Sequence, residues 1–177
     1  FTPADLDRFV KVDAEVILTI NKAPLRVTAV DASRAFGEKN PEFKLEYAGF
    51  VNGEDVSAFS TPVCVTTTAK PDSEAGEYPV VLSCVESPNY EITLVNGTLT
   101  VGKQTPVITW AEPAPIVYGT SIGPKQLNAQ SNVEGFFVYS PPGGAILDAG
   151  EITLRTTFTP SDLNAYAKVD AEVILTI

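Results

Sequence analysis

The sequence has no histidine, no methionine, only two cysteines and a single tryptophan. Without histidine the chain lacks the side chain that most often serves as general base or zinc ligand, which removes Ser-His-Asp triads, zinc sites and most acid-base schemes. Basic residues are also scarce. Twelve Lys and Arg face 22 Asp and Glu, and the resulting net charge of -10 repels polyanions, which argues against nucleic acid as a partner. No apolar run reaches the roughly 18 residues of a spanning helix, and the segment is expected to carry no basic-then-apolar leader of its own, since any such signal would lie outside it. No membrane insertion is therefore expected within this segment. No Asp-x-Asp-x-Asp run ending in Glu is present, so Asp5, Asp7, Asp162 and Asp170 read as solvated faces, not calcium ligands. No catalytic residue, cofactor-binding motif or metal set emerges, and the chain is expected not to be an enzyme.

What is present is repetition. Residues 1–20, FTPADLDRFVKVDAEVILTI, return at 158–177 as FTPSDLNAYAKVDAEVILTI, with fifteen of twenty positions identical at a constant offset of 157. Such a pattern marks a segment of a tandem array. Residues 1–20 then read as the closing strand of a preceding repeat, followed by one repeat at 21–102 and another at 103–177. The two full spans share fainter landmarks in the same order: Phe36-Gly37 with Tyr118-Gly119, Ala75-Gly76 with Ala149-Gly150, and Tyr90 nine residues before Leu99 with Tyr166 nine before Leu175. Each junction carries a Lys shortly before a Pro, at Lys22 and Lys103. Linkers this short should hold neighbouring repeats end to end.

Helical periodicity is hard to find, whereas short Val- and Thr-rich strand patterns recur between Pro, Gly, Asn and Asp clusters. The spacing predicts an all-β chain of tandem immunoglobulin-like antiparallel sandwiches. No more than one helical turn is expected at 53–59 and at 121–127. Asn96-Gly97 would ordinarily signal a hairpin turn, but the matching stretch at 166–177 alternates without a break. A bulge within one continuous path fits the change of parity between Leu94 and Leu99, with the hairpin as the alternative. The stretch SEAGEYPV (73–80) has the form of a tyrosine corner.

Residues 22–103, with AFGEKNPEFKLEYAGFVNGEDVSAF, AGEYPV and SPNYEITLVNGTLTVGK, resemble the MBG family of mostly bacterial immunoglobulin-like repeats. Residues 104–177, with TPVITWAEPAPIVYGTSIGPKQLNA, FFVYSPPGG and LDAGEITLRTTFTPSDLNAYAKV, resemble another bacterial immunoglobulin-like repeat. The resemblance implies a secreted or cell-surface, adhesin-like protein in which such repeats serve as stalk or binding modules. It implies no cofactor.

Two candidate sites stand out. If 62–68 and 78–85 form a hairpin whose paired positions sum to 148, Cys64 and Cys84 face each other and can form a disulfide; buried free thiols are the alternative. Among Trp110, Tyr118, Phe136, Phe137 and Tyr139, alternation exposes one side of the FFVY strand, with Phe136 and Tyr139 as possible ligand-facing aromatics. Core packing is the competing role for these rings. The leading expectation is a non-catalytic stalk or binding segment whose partners are neighbouring repeats and a surface protein or glycan. Residues 1–20 are expected to lend a strand in trans or to swap between copies. A carbohydrate-binding module accessory to a secreted enzyme is the alternative.

Overall fold

The structure is a computed structural model that describes residues 2, 4, 7, 8 and 13–177. Phe1, Asp5 and Phe9 of the leading copy lie outside the described residues. The chain is all-β with several sheets. The first seven strands are β1 (Ala23–Ala29), β2 (Ala32–Ala35), β3 (Leu45–Ala48), β4 (Cys64–Thr67), β5 (Gly76–Ser83), β6 (Tyr90–Val95) and β7 (Gly97–Gly102). They form two sheets, ordered β3-β1-β6 and β2-β7-β5-β4. Period-two alternation decides which residues enter the core. Val27 and Ala29 of β1 pack with Val80 and Leu82 of β5 and with Leu99 and Val101 of β7. Full burial of each of these Val and Leu side chains stabilises by roughly 1.5–3 kcal/mol.

Two segments of this half travel together. β1 pairs in parallel with β6 from Ala23 opposite Tyr90, and β2 with β7 from Ala32 opposite Leu99. Both registers share one offset, since 90 minus 23 and 99 minus 32 are each 67. The paired segments therefore leave one sheet and enter the other side by side. Small and polar residues make the crossing feasible. A Cβ on Gly97 would lie 2.7 Å from the Ala29 carbonyl oxygen, so only glycine allows the close approach. The Asp31 carboxylate accepts from the Thr98 N–H at 2.8 Å, and the Asn96 amide oxygen accepts from the Leu82 N–H at 3.0 Å. Asn96-Gly97 is thus not a hairpin turn. It lies on one continuous path, and the change of parity is the passage between sheets.

The remaining strands are β8 (Ile108–Thr109), β9 (Gln130–Ser131), β10 (Gly135–Ser140), β11 (Glu151–Pro160) and β12 (Val169–Thr176). β10, β11 and β12 make an antiparallel meander, and β8 pairs with β9. Ile122, Leu154 and Leu175 form the buried centre, with Trp110, Leu127 and Val173 packed against it. β12 alternates strictly: Val173 and Leu175 face inward, Asp170, Glu172 and Ile174 outward.

The leading copy of the β12 sequence behaves differently. Residues 13–22 form no strand, and Val16, Ile17, Leu18 and Ile20 are 93%, 94%, 80% and 84% exposed. In β12 the ladder to β11 satisfies the backbone and covers the inward face. No equivalent ladder holds the leading copy among the described residues.

Both expected helical turns are present. Residues 56–58 form a 3-10 turn, capped by the Asp55 carboxylate, which accepts from the Ser57 N–H at 2.8 Å. At the second, the Leu127 N–H bonds the Gly123 carbonyl at 2.9 Å. The Tyr78 hydroxyl donates to the Glu74 carbonyl at 2.9 Å, the bond of a tyrosine corner. Among the described residues no helix is long and apolar enough to cross a membrane.

Two glycines with left-handed backbones separate conformational strain from steric conflict. Gly49 has φ of 119°, and a Cβ there would lie 2.4 Å from the Pro24 carbonyl oxygen. Gly53 has φ of 73° with open space around it. In urea titrations, Gly49→Ala is expected to cost about 2–4 kcal/mol and Gly53→Ala about 1 kcal/mol. Equal costs would contradict the packing described at Gly49.

Candidate functional site

The structure brings the two cysteines together, but in a different register from the predicted one. Cys64 and Cys84 are bridged with Cα atoms 5.4 Å apart. Within the β4–β5 hairpin Cys64 lies opposite Ser83, so the paired positions sum to 147, not 148. Cys84 follows the last residue of β5 and has φ of 67°, a left-handed kink that takes it out of the ladder. The bridge is therefore diagonal. It ties down β4, which lies at the end of its sheet order.

The aromatic residues divide by parity. Phe136 and Val138 are each 58% exposed, while Phe137 and Tyr139 turn to the other side of β10 and are half-buried. Phe136 and Tyr139 differ by an odd number of positions and cannot share a face of one strand. Placing both toward a ligand was therefore an error. Tyr139 packs edge-on against Trp110 at 5.4 Å, and Phe137 lies 4.7 Å from Phe158. The Tyr139 hydroxyl accepts from the Ala129 N–H at 3.0 Å, and burial holds its pKa above the ordinary phenol value. Trp110 donates its indole N–H to the Gln126 carbonyl at 2.9 Å. Among the described residues Tyr118 and Phe136 are the exposed aromatic side chains, and no ring contact joins them. Among those residues no group of three acidic or thiol side chains is placed to hold a metal.

The most specific constellation lies where the halves meet. Gln104 is bridged in parallel to Tyr166: its N–H donates to the Ala165 carbonyl at 2.8 Å, and its carbonyl accepts from the Ala167 N–H at 3.0 Å. The loop that carries Tyr166 is held by the Asp162 carboxylate, which accepts from the Asn164 N–H at 2.9 Å and the Ala165 N–H at 3.2 Å. From this loop Tyr166 packs edge-on against Phe36 of the first half at 5.6 Å. The Asn164 carbonyl accepts from the Ala75 N–H at 3.3 Å. Phe36 sits in a turn in which Gly37 has φ of 81°, and the Gly37 N–H donates to the Pro71 carbonyl at 3.0 Å. Arg34 supports that turn from below, donating to the Asn40 side chain at 2.7 Å, the Ala35 carbonyl at 3.0 Å and the Lys70 carbonyl.

Phe36, Gln104 and Tyr166 were not singled out as a site, although Phe36 and Tyr166 mark two of the repeated landmarks. Their recurrence at fixed places beside a short linker was the available signal. The first half's own pole is built differently. Tyr90, the counterpart of Tyr166, is buried beneath Phe50, donates its hydroxyl to Glu54 at 2.6 Å and accepts from the Val51 N–H at 3.1 Å. The bond to Glu54 raises the Tyr90 pKa.

Reduction of the Cys64–Cys84 bridge, or its replacement by Cys64→Ser with Cys84→Ser, is expected to cost about 3 kcal/mol in urea unfolding, for a sequence separation of 20. Free thiols in the native oxidised protein, counted by alkylation and mass, would contradict the bridge.

The first half also has a recognisable sequence pattern beyond this chain. Residues 25–100 match the family model of the MBG domain (YGX type). No curated protein matches the chain. The stretch from Leu25 in β1 to Thr100 in β7 is thus similar to an MBG domain, and the match ends before the linker that carries Lys103 and Gln104.

Proposed function

We propose that this chain is a non-catalytic segment of a secreted or bacterial cell-surface protein, in which residues 21–102 and 103–177 are successive immunoglobulin-like repeats acting as a stiff stalk. The carrying observation is the linker. Gln104 is hydrogen-bonded on both its N–H and its carbonyl to the Tyr166 loop, and that loop touches the first half through Phe36 and Ala75. An aromatic pair of this geometry contributes about 0.5–1.5 kcal/mol, and each backbone bond a similar net amount. Together these contacts restrict the swing of one repeat on the next.

The MBG-type match supports a repeat module, and the net charge of -10 supports solubility in an extended array. Neighbouring repeats are the first partners on this reading. The exposed residues 16–20, which repeat the sequence of a β12 segment, are suited to complete a sheet of another repeat or another copy. A carbohydrate-binding module would need a shared aromatic surface, whereas Tyr118 and Phe136 stand apart and Tyr139 packs with Trp110.

A double-mutant cycle on Phe36→Ala and Tyr166→Ala tests the joint. The expected coupling is about 1 kcal/mol, with a broader small-angle-scattering distance distribution for Tyr166→Ala than for the parent chain. Zero coupling with an unchanged distribution would overturn the stalk reading.

A further inference from the structure

The joint described above has an exposed counterpart at the far pole of the second half. Residues 35–38 and 117–120 form the same turn. In the first, Glu38 N–H donates to the Ala35 carbonyl at 3.3 Å with Gly37 at φ of 81°. In the second, Thr120 N–H donates to the Val117 carbonyl at 3.0 Å with Gly119 at φ of 90°. Tyr118 therefore occupies the place of Phe36. Beside the turn, Gly76 is paired with Val101, and Gly150 exchanges bonds of 2.9 and 2.8 Å with Ile177. Val101 and Ile177 each follow their unit's aromatic landmark, Tyr90 or Tyr166, by eleven residues. Ala149 therefore occupies the place of Ala75. The two copies differ in what covers them. Phe36 is packed against Tyr166 and Ala75 N–H is bonded to Asn164, whereas Tyr118 is 65% exposed and Ala149 is exposed.

The complementary pole is also present. In the first half Ala23 pairs with Tyr90 as Gln104 does with Tyr166, and its N–H donates to the Asn89 carbonyl at 2.9 Å, as Gln104's does to Ala165. The Pro88 carbonyl is then the counterpart of the Asn164 carbonyl. Pro88 is exposed and lines one concavity with Val51 and Ile20. Ile20 is the sequence twin of Ile177, the residue bonded to Gly150. Whichever turn plays the part of 149–150 beside Ile20 therefore comes to rest next to Val51 and Pro88. The spacing agrees: three steps separate Ile20 from Ala23, as three separate Val101 from Gln104.

We propose that the pole carrying Tyr118 and Ala149 docks on the pole carrying Val51 and Pro88 of a further copy of the first half, with Tyr118 against Val51 and Pro88 and the Ala149 N–H bonded to the Pro88 carbonyl. The inference rests on the stalk reading and extends it: the second joint has the backbone bond of the first, but an aromatic-on-aliphatic contact replaces the aromatic pair because Tyr90 is committed to Glu54. The full chain extended after Ile177 by a second copy of residues 21–177 tests it. Amide exchange by NMR is expected to show one of its two Ala149 amides slowed at least tenfold relative to the single chain. Tyr118→Ala should remove that protection while leaving Ala75 slow. Unchanged exchange at both Ala149 amides with Ala75 slow overturns this inference alone. Fast exchange at Ala75 and at both Ala149 amides overturns it together with the stalk reading.

Discussion

The parallel pairing of two chain segments at one constant offset is the constraint on which the first half depends. β1 with β6 and β2 with β7 keep the same register while crossing from one sheet to the other. A crossing of one segment alone would leave its partner's backbone groups unpaired near the core, at a cost of about 1–3 kcal/mol for each. The crossing in turn demands a residue without a Cβ at position 97, an amide at 96 to meet Leu82, and a carboxylate at 31 to meet Thr98. Core composition follows from the same geometry, because Leu99 and Val101 turn inward only if the parity changes at Asn96.

That constraint also places the pole of the molecule. β2 and β7 end together at Ala35 and Gly102, so the turn bearing Phe36 and the linker bearing Gln104 emerge side by side. Tyr166 meets Phe36 because the Asp162-capped loop between β11 and β12 projects toward the same spot. The joint is thus a consequence of strand ends in register, with modest side-chain contact added. Its chemistry is polar backbone pairing and a single ring contact, which suits positioning of neighbours.

Much of this arrangement was legible in the sequence because it rests on alternation and repetition. The strand sequences of β5, β6, β7, β11 and β12 announce themselves through Val, Ile and Thr at alternate positions. Tyr78 and the two helical turns were readable for the same local reasons. What failed depended on long-range register. The hairpin holding Cys64 is shifted by one position because Cys84 lies beyond the ladder at a left-handed residue, which no local pattern announces. β2, with the sequence ASRA, was missed because it is short and its buried arginine reads as a loop residue. Phe136 and Tyr139 stand three positions apart, so the alternation invoked for the FFVY strand itself sends them to opposite faces. The leading EVILTI shows the limit of propensity: residues 172–176 of the same sequence lie in a strand where β11 is available, whereas residues 15–20 form none.

The central claim is that the two halves form one rigid body through Gln104, Phe36 and Tyr166. Residual dipolar couplings measured separately for amides of residues 23–102 and 104–177 test it most directly. A rigid joint requires both sets to fit a single alignment tensor with the relative orientation seen in the structure. Two tensors of clearly different magnitude would show that the halves reorient independently, and the stalk mechanism would fail.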